Sequence, residues 1–596
     1  MMNKKILAGM NRWYWLQAIK LVLVLLFILQ LALMIFGLVI HLNFLPTIPD
    51  IFLILHYVNI NSTLSHQFAI SMLSSFIITS FMIFMFLLSK YHPDKTILGD
   101  AHFAKPLEVN KAGFFEDSGI VVGKYWGAPI RSGGFEHVLT FAPAGSGKTT
   151  AIAIPNLFTW KESCVVNDPK FELFETTSGF RKNTFQNDVF LWAPTKTKTH
   201  RYNPLQFISI DKHKRIGEIQ LIAHTIIPNG QGEPIWYQSA RELFLALILY
   251  LIDSDTRSTL PEVYVIAKKH RFNEWLTDLV ENTTHLDPEF YRNASSYLNT
   301  AEKTRASILK TFTGYLEIFA NPVINAAVSD SDFDLRELRK KKITIYIGFS
   351  ENEKEMISPL LTIFWQQLIS FMTETMPTPK TEPYALLCLM EEFSILGRLV
   401  NLKSSLKILR GYRVRVLIII QYLAQISEHY SKAETEAFKN IKTKVIFALD
   451  SLEDAEYVSK LLGMRTKRIT QRGQSSGVNH SSSSHSHHLQ AVPLMRPEEI
   501  QRLKSNDAII IRTGHAPVKA KQYRWYKASE LKKLCCSVVD VPTQNPIIIP
   551  FEKNNDIKTE ISSVSQKTIN DFEIERMKIQ AEFLSGAVLN ALHNEE

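Results

Sequence analysis

The stretch Phe135 to Thr150, FEHVLTFAPAGSGKTT, restricts the fold more than any other. Val138, Leu139 and Phe141 make an apolar run suited to a buried strand, and the run stops at Ala142-Pro143-Ala144-Gly145-Ser146-Gly147-Lys148-Thr149. That is the P-loop spacing, with Ala142 where the first Gly often stands. Small residues there let consecutive backbone N–H groups curl round a phosphate. Lys148 can reach the β- and γ-phosphates of ATP, and the Thr149 hydroxyl suits Mg²⁺. Thr149, Thr150 and the residues to Leu157 predict a helix whose N-terminal dipole faces the same anion. The strand before and the helix after favour a nucleotide site over a merely structural glycine turn.

A chain of 596 residues is too long for one core, so two or three folded units are expected. The net charge of +9 permits nucleic acid or anionic lipid as partners and demands neither. Four cysteines, Cys164, Cys388, Cys535 and Cys536, make no disulfide framework, so the soluble part reads as a reduced-compartment protein.

Leu21 to Ile40 is an apolar run broken only by Gln30, and Phe68 to Leu88 is a second; each is long enough to cross a bilayer. Lys4, Lys5, Arg12 and Lys20 precede the first run, Lys90 and Lys95 follow the second, and His41 to Gln67 between them has no Lys or Arg. The positive-inside rule then puts both termini in the cytoplasm.

Ile97 to Gly134 reads as strands leading into the nucleotide-binding sheet. Ser163 to Asp168 and Asp188 to Pro194 read as further strands. From about Ile208 to Arg339 the pattern is helical, with helices predicted over Arg215–Ile227, Pro234–Asp253, Leu260–Glu281 and Pro288–Phe319. Strands resume at Ile343–Phe349, Tyr384–Met390, Arg413–Gln421 and Lys444–Leu449. Apolar strands alternating with helices predict an α/β fold with a parallel sheet covered on both faces. Gln474 to His488 is rich in Ser and His and reads as a flexible loop; its histidines lack carboxylate or Cys companions at ligand spacing. Ala508 to Tyr526 reads as a strand pair turning at Gly514. Beyond Val541 a linker is expected, then an amphipathic helix over Ile569–Leu592.

Hydrolysing ATP takes an acid to help hold Mg²⁺, a base to orient the attacking water, and a sensor of the γ-phosphate. Met390-Glu391-Glu392-Phe393 directly follows an apolar strand, and strand ends in parallel sheets point into the ligand crevice. Glu391 suits Mg²⁺, Glu392 suits the water, and Gln421, ending another apolar strand, suits the sensor.

The P-loop strand, VVNDPKFELFETTSGFRK (Val165 to Lys182), Tyr202-Asn-Pro-Leu205, and MEEFSILGRL (Met390 to Leu399) followed by LRGYRVRVLIIIQ together resemble the TraG family of type IV secretion coupling proteins. The resemblance covers about residues 1 to 530. It implies a RecA-like P-loop NTPase domain (97–207 and 340–540), an inserted all-α domain (208–339), a membrane anchor with two N-terminal transmembrane helices (1–96) and a C-terminal tail (541–596). It implies an ATPase in the bacterial inner (plasma) membrane, assembled as a homo-hexamer and in contact with membrane lipid. Its implied partners are the type IV secretion channel proteins, and its cargo relaxase–DNA complexes, protein effectors or both. In the family's spacing Arg410 falls where an arginine finger reaches a neighbouring subunit's ATP; an ordinary surface Arg in a basic helix is the alternative. The family's usual Asp-Glu stands here as Glu391-Glu392. Two other readings are an ATP-binding substrate receptor with little turnover and a septal-type DNA translocase.

Overall fold

The computed structural model describes Val24, Ile28 and residues 98–230, 233–254, 258–399, 402–477 and 480–549; at 403, 404 and 470–487 it describes the backbone alone. The spans expected at 21–40 and 68–88 (Val24 and Ile28 apart) and the helix expected at 569–592 lie outside the described residues. The chain forms two compact units.

The P-loop lies in the unit made of Phe135–Ile441 and the chain from Arg524 onward. Its strands are β1 (Val138–Phe141), β2 (Ser163–Asp168), β3 (Asp188–Trp192), β4 (Ile343–Gly348), β5 (Leu386–Met390) and β6 (Val414–Ile420). They pair in parallel in the order β1-β6-β5-β2-β4-β3. Every residue of β2, β4, β5 and β6 is buried. Strands covered on both faces read as continuous apolar runs rather than alternating ones, which is why the sequence shows them so clearly.

The helix after the P-loop opens as a wide π-helical turn, Thr149–Ala153, and narrows into α1 (Ile154–Thr159). Pro155 has no N–H to give to the carbonyl four residues back, so the α hydrogen-bond ladder is interrupted there. After β2 comes α2 (Glu172–Asn183). Between β3 and β4, apart from an isolated bridge of Lys198 to Thr543, the regular elements of the described residues are helices and helical turns: α3 (Lys212–Ile226), α4 (Pro234–Asp253), α5 (Leu260–Ala267), α6 (Phe272–Asn282), α7 (Pro288–Leu298), α8 (Glu302–Tyr315) and α9 (Pro322–Ala327). The single helices expected over 260–281 and 288–319 are each broken, between α5 and α6 and between α7 and α8. Apolar periodicity continues across both breaks, so the pattern alone did not mark them; breaking lets Leu260, Val263, Trp275 and Leu276 all reach buried positions.

Two helical stretches here, Pro234–Asp253 and Glu351–Glu374, are long and apolar enough to cross a membrane. Half of the apolar 18-residue stretch in the first and 61% of that in the second are buried within the protein, as in core helices. The second contains α10 (Lys354–Glu374).

The other unit joins residues up to Gly134 with Lys442–Tyr523. Its sheet is antiparallel, in the order Ala128–Ser132, Ile120–Tyr125, Val518–Lys521, Asp507–Arg512, Thr443–Ile446. The hairpin expected around Gly514 is present, with that glycine at φ +84°. The loop expected over Gln474–His488 is not a loop. Met464–Gly477 and His480–Pro493 pair antiparallel without a slip, from Met464 opposite Pro493 to Gly477 opposite His480. A ladder bonds main chain to main chain, so a ribbon with polar residues on both faces shows no period-two pattern to betray it.

The expected linker beyond Val541 is also docked as far as the described residues run. Val539 N donates to Ser178 Oγ (3.3 Å), Thr199 N to the Pro542 carbonyl (3.0 Å), and Gln544 N to the Thr197 carbonyl (2.7 Å). Ile547 N donates to the Pro322 carbonyl at 2.9 Å. This strap crosses α2 where Gly179 leaves room for it: a Cβ there would lie 1.9 Å from the Ser537 carbonyl oxygen.

Candidate nucleotide-binding site

Because β1, β6, β5 and β2 are parallel and adjacent, their C-terminal ends open on one crevice, the usual ligand edge of such a sheet. The P-loop follows β1, Gln421 follows β6, Glu391 and Glu392 follow β5, and Asp168 ends β2. Sequence separations of more than two hundred residues thereby become contacts.

The loop Ala142 to Lys148 turns on Gly145 (φ +72°) and Gly147 (φ +93°), conformations strained for any residue with a Cβ. Ser146 Oγ donates to the Pro143 carbonyl at 2.6 Å, and Thr150 Oγ1 to the Gly147 carbonyl at 3.2 Å, closing the loop on itself. Lys148 Nζ lies 2.5 Å from Glu392 Oε1, with both side chains mostly buried. Gln421 Nε2 donates to the same carboxylate at 3.3 Å. Glu392 sits at φ +56°, a left-handed conformation that a non-glycine residue adopts at a cost and that turns it back toward the lysine.

Glu391 is 3% exposed. It accepts a 2.6 Å bond from Thr149 Oγ1, so the longer Glu side chain reaches the P-loop hydroxyl directly. Burial pushes its carboxyl up to about 7; the Thr149 bond and Lys148 oppose that rise, while Asp168 and Glu392 add to it. Its backbone carbonyl accepts from Asn167 Nδ2 (3.4 Å), and Asn167 Oδ1 accepts from Trp365 Nε1 of α10 (2.9 Å). Asp168 is also raised to about 7 by burial, against the pull of the Phe174 and Leu173 amides that it caps at the start of α2. Asn167, bonded to the Glu391 carbonyl, Asp168, whose charge helps raise the Glu391 carboxyl, and Trp365, bonded to Asn167, were not singled out as site residues from the sequence. The signal was there for the first two, as polar residues ending an otherwise apolar strand.

Thr149 and Glu391 offer hard oxygen donors side by side, a set that fits Mg²⁺. The glycine-built loop with a lysine at its end fits a polyphosphate.

Arg410 is not brought to this crevice within the chain. It lies in the turn between α11 (Leu402–Ile408) and β6, 58% exposed at its side chain, with Nη1 3.0 Å from Glu136 Oε1. Glu136 precedes β1, so the pair marks the opposite edge of the sheet. The seven residues of β6 separate Arg410 from Gln421 by roughly 23 Å of strand.

Residues 96–567 match the family model described as Type IV secretory system Conjugative DNA transfer. The protein VirD4 of Rhizobium radiobacter is 30% identical over 490 residues, covering 78% of this chain and 70% of that protein. The conjugal transfer protein TraG of Escherichia coli is 27% identical over 435 residues, covering 67% of this chain and 68% of its own length. Among solved structures, the conjugative coupling protein TrwB lacking its N-terminal segment superposes with TM-score 0.54 at 16% identity, over 72% of this chain and 93% of TrwB. TrwB in complex with ADP and Mg²⁺ gives 0.53 at 14% identity, over 76% and 97%. That likeness shows a shared mixed α/β fold around a P-loop sheet. With the match across most of its length, this chain belongs to the type IV secretory system conjugative DNA transfer family, as a coupling protein of type IV secretion.

Proposed function

We propose that the protein hydrolyses Mg-ATP at this crevice and uses the turnover to pass cargo into a type IV secretion channel. The observation that carries the reading is the convergence of Lys148, Thr149, Glu391, Glu392 and Gln421 on one strand edge. The Ala142–Thr150 loop cradles the phosphates through its backbone N–H groups, with Lys148 neutralising their charge. Thr149 and Glu391 would hold Mg²⁺, which would offset negative charge on the phosphate oxygens. Nucleotide binding draws Lys148 away from Glu392, which leaves that carboxylate to orient water and accept its proton. Gln421, already bonded to Glu392, reports the γ-phosphate.

Arg410 acts in trans. Its place at the far edge of the sheet suits a ring in which each subunit's Arg410 completes a neighbour's site, so hydrolysis depends on a homo-hexamer. TrwB has been crystallised with ADP and Mg²⁺ and with ATP and GTP analogues, which supports nucleotide binding here. Two apolar spans before residue 97 anchor the ring in the bacterial inner membrane, in contact with lipid and with both termini cytoplasmic. The all-helical segment within 208–339, read as an inserted domain, and the tail 541–596 select the cargo, relaxase–DNA or protein effectors.

The test is ATP hydrolysis by the full chain in detergent or lipid. Lys148→Ala and Glu392→Gln are expected to abolish it; unchanged activity in both would overturn the assignment. An unmutated hexamer that binds ATP without turnover would favour a receptor that docks cargo without hydrolysis.

A further inference from the structure

The turn that leaves the second unit, Arg524-Trp525-Tyr526-Lys527, packs beside the P-loop helix and has no part in the chemistry above. Its short 3₁₀ turn, Trp525–Lys527, lies against Thr149–Ala153. Trp525 anchors it, meeting Phe158 of α1 edge-on with ring centroids 6.4 Å apart. Arg524 joins it to the loop itself, with Nη2 3.5 Å from the Ser146 carbonyl oxygen. The same guanidinium, through Nη1, donates to the Tyr526 hydroxyl at 3.1 Å. Tyr526 stands perpendicular to Trp525, at 6.2 Å between centroids, and remains 41% exposed. An aromatic ring is thus held by Arg524 at its hydroxyl and by Trp525 beside it, with Lys527 Nζ 6.0 Å over one face, yet it stays partly open to solvent next to the first turn of a phosphate-binding helix.

The segment flanks the turn that directly follows the Ala142–Lys148 loop, so a nucleotide whose phosphates filled that loop would have its ribose and base to place beside it. We propose that Arg524 and Tyr526 form the base-binding shelf of the site, with Tyr526 stacking on the purine and Arg524 tying the shelf to the loop at Ser146. The proposal rests on the nucleotide reading of the P-loop. Stacking on an aromatic face is tolerant of base identity, since every base presents a π-face. The Tyr526 hydroxyl is already engaged by Arg524, so adenine and guanine are held alike and a ligand without a base loses the contact. The shelf lies some 380 residues from the loop in sequence, and no motif announces it.

The experiment is calorimetric titration of the full chain in detergent with Mg-ATP, Mg-GTP and inorganic tripolyphosphate. Tyr526→Ala is expected to weaken ATP and GTP by about tenfold each and to leave tripolyphosphate unchanged. Tyr526→Phe, which keeps the ring, should retain most of the purine affinity. An ATP-to-tripolyphosphate affinity ratio unmoved by Tyr526→Ala overturns the shelf, as does an equal loss for all three ligands, which would mean that the loop itself had shifted. Lys148→Ala should weaken all three; if it weakens none, the P-loop reading fails, and the shelf with it.

Discussion

Gly179 sits inside α2, where replacing Gly by Ala ordinarily stabilises a helix by about 1 kcal/mol. The structure predicts that Gly179→Ala yields no such gain. The new Cβ would fall 1.9 Å from the Ser537 carbonyl oxygen, and contacts below 3.0 Å are essentially never seen, so the strap must retreat by at least about 1.1 Å. Backbone, not a flexible side-chain tip, has to move. The first bond to fail is Val539 N to Ser178 Oγ, already 3.3 Å long and net worth about 1 kcal/mol. Helix gain and strap loss then nearly cancel in global stability. Locally they do not: the Val539 amide should exchange with solvent about fivefold faster, since 1 kcal/mol is about that factor. Thr199 and Gln544, bonded farther along the strap, should be affected less. Hydrogen exchange read by mass spectrometry, with thermal unfolding alongside, measures both. Unchanged exchange at Val539 together with a raised Tm would refute the claim that close approach of the strap is why glycine stands there.

Other expectations follow from the same geometry. Arg410→Ala should leave ATP affinity intact while lowering turnover by about a thousandfold or more, the scale of a finger supplied in trans; mixing it with Lys148→Ala subunits should restore part of the rate, and failure of that rescue would make Arg410 a surface residue paired to Glu136. Glu391→Asp retracts the carboxylate by about one C–C bond, roughly 1.5 Å, opening the contact to Thr149. Turnover should fall and its Mg²⁺ requirement rise; equal activity would show that the longer acid is not matched to this loop. His137 is held neutral in the core, accepting from Val416 N and donating to the Leu406 carbonyl, with burial pulling its pKa down to about 4. Its contribution to stability is complete above pH 6.5 and is lost as pH falls from there toward 4, by about 3 kcal/mol at most. Denaturant unfolding across that range, compared with His137→Gln, should show the difference as a flatter pH profile in the variant.

Much of the P-loop unit was legible in the chain because its determinants are local. A strand buried on both faces is an unbroken apolar run, a phosphate cradle needs small residues at fixed spacing, and an acid pair directly after an apolar strand lands at that strand's end. Ile343 to Gly348 and Val165 to Asp168 needed no partner to be recognised. What the residues could not state is which ends lie side by side. The order β1-β6-β5-β2 puts Gln421 and Glu392 in hydrogen-bond range and leaves Arg410 at the other edge, although it is closer in sequence to both. Period and composition are equally silent where main chain bonds main chain. The Ser/His segment 474–488 forms a ladder, and the strap beyond Cys536 is held by carbonyls and amides that every sequence carries. The proposed phosphate-binding chemistry was therefore determined by the sequence itself, through side-chain type and spacing. The company that chemistry keeps, Asn167 and Trp365 behind Glu391 and Arg524 against Ser146, was decided only by the tertiary fold, because contacts between distant residues depend on strand order and backbone approach, which no local pattern encodes.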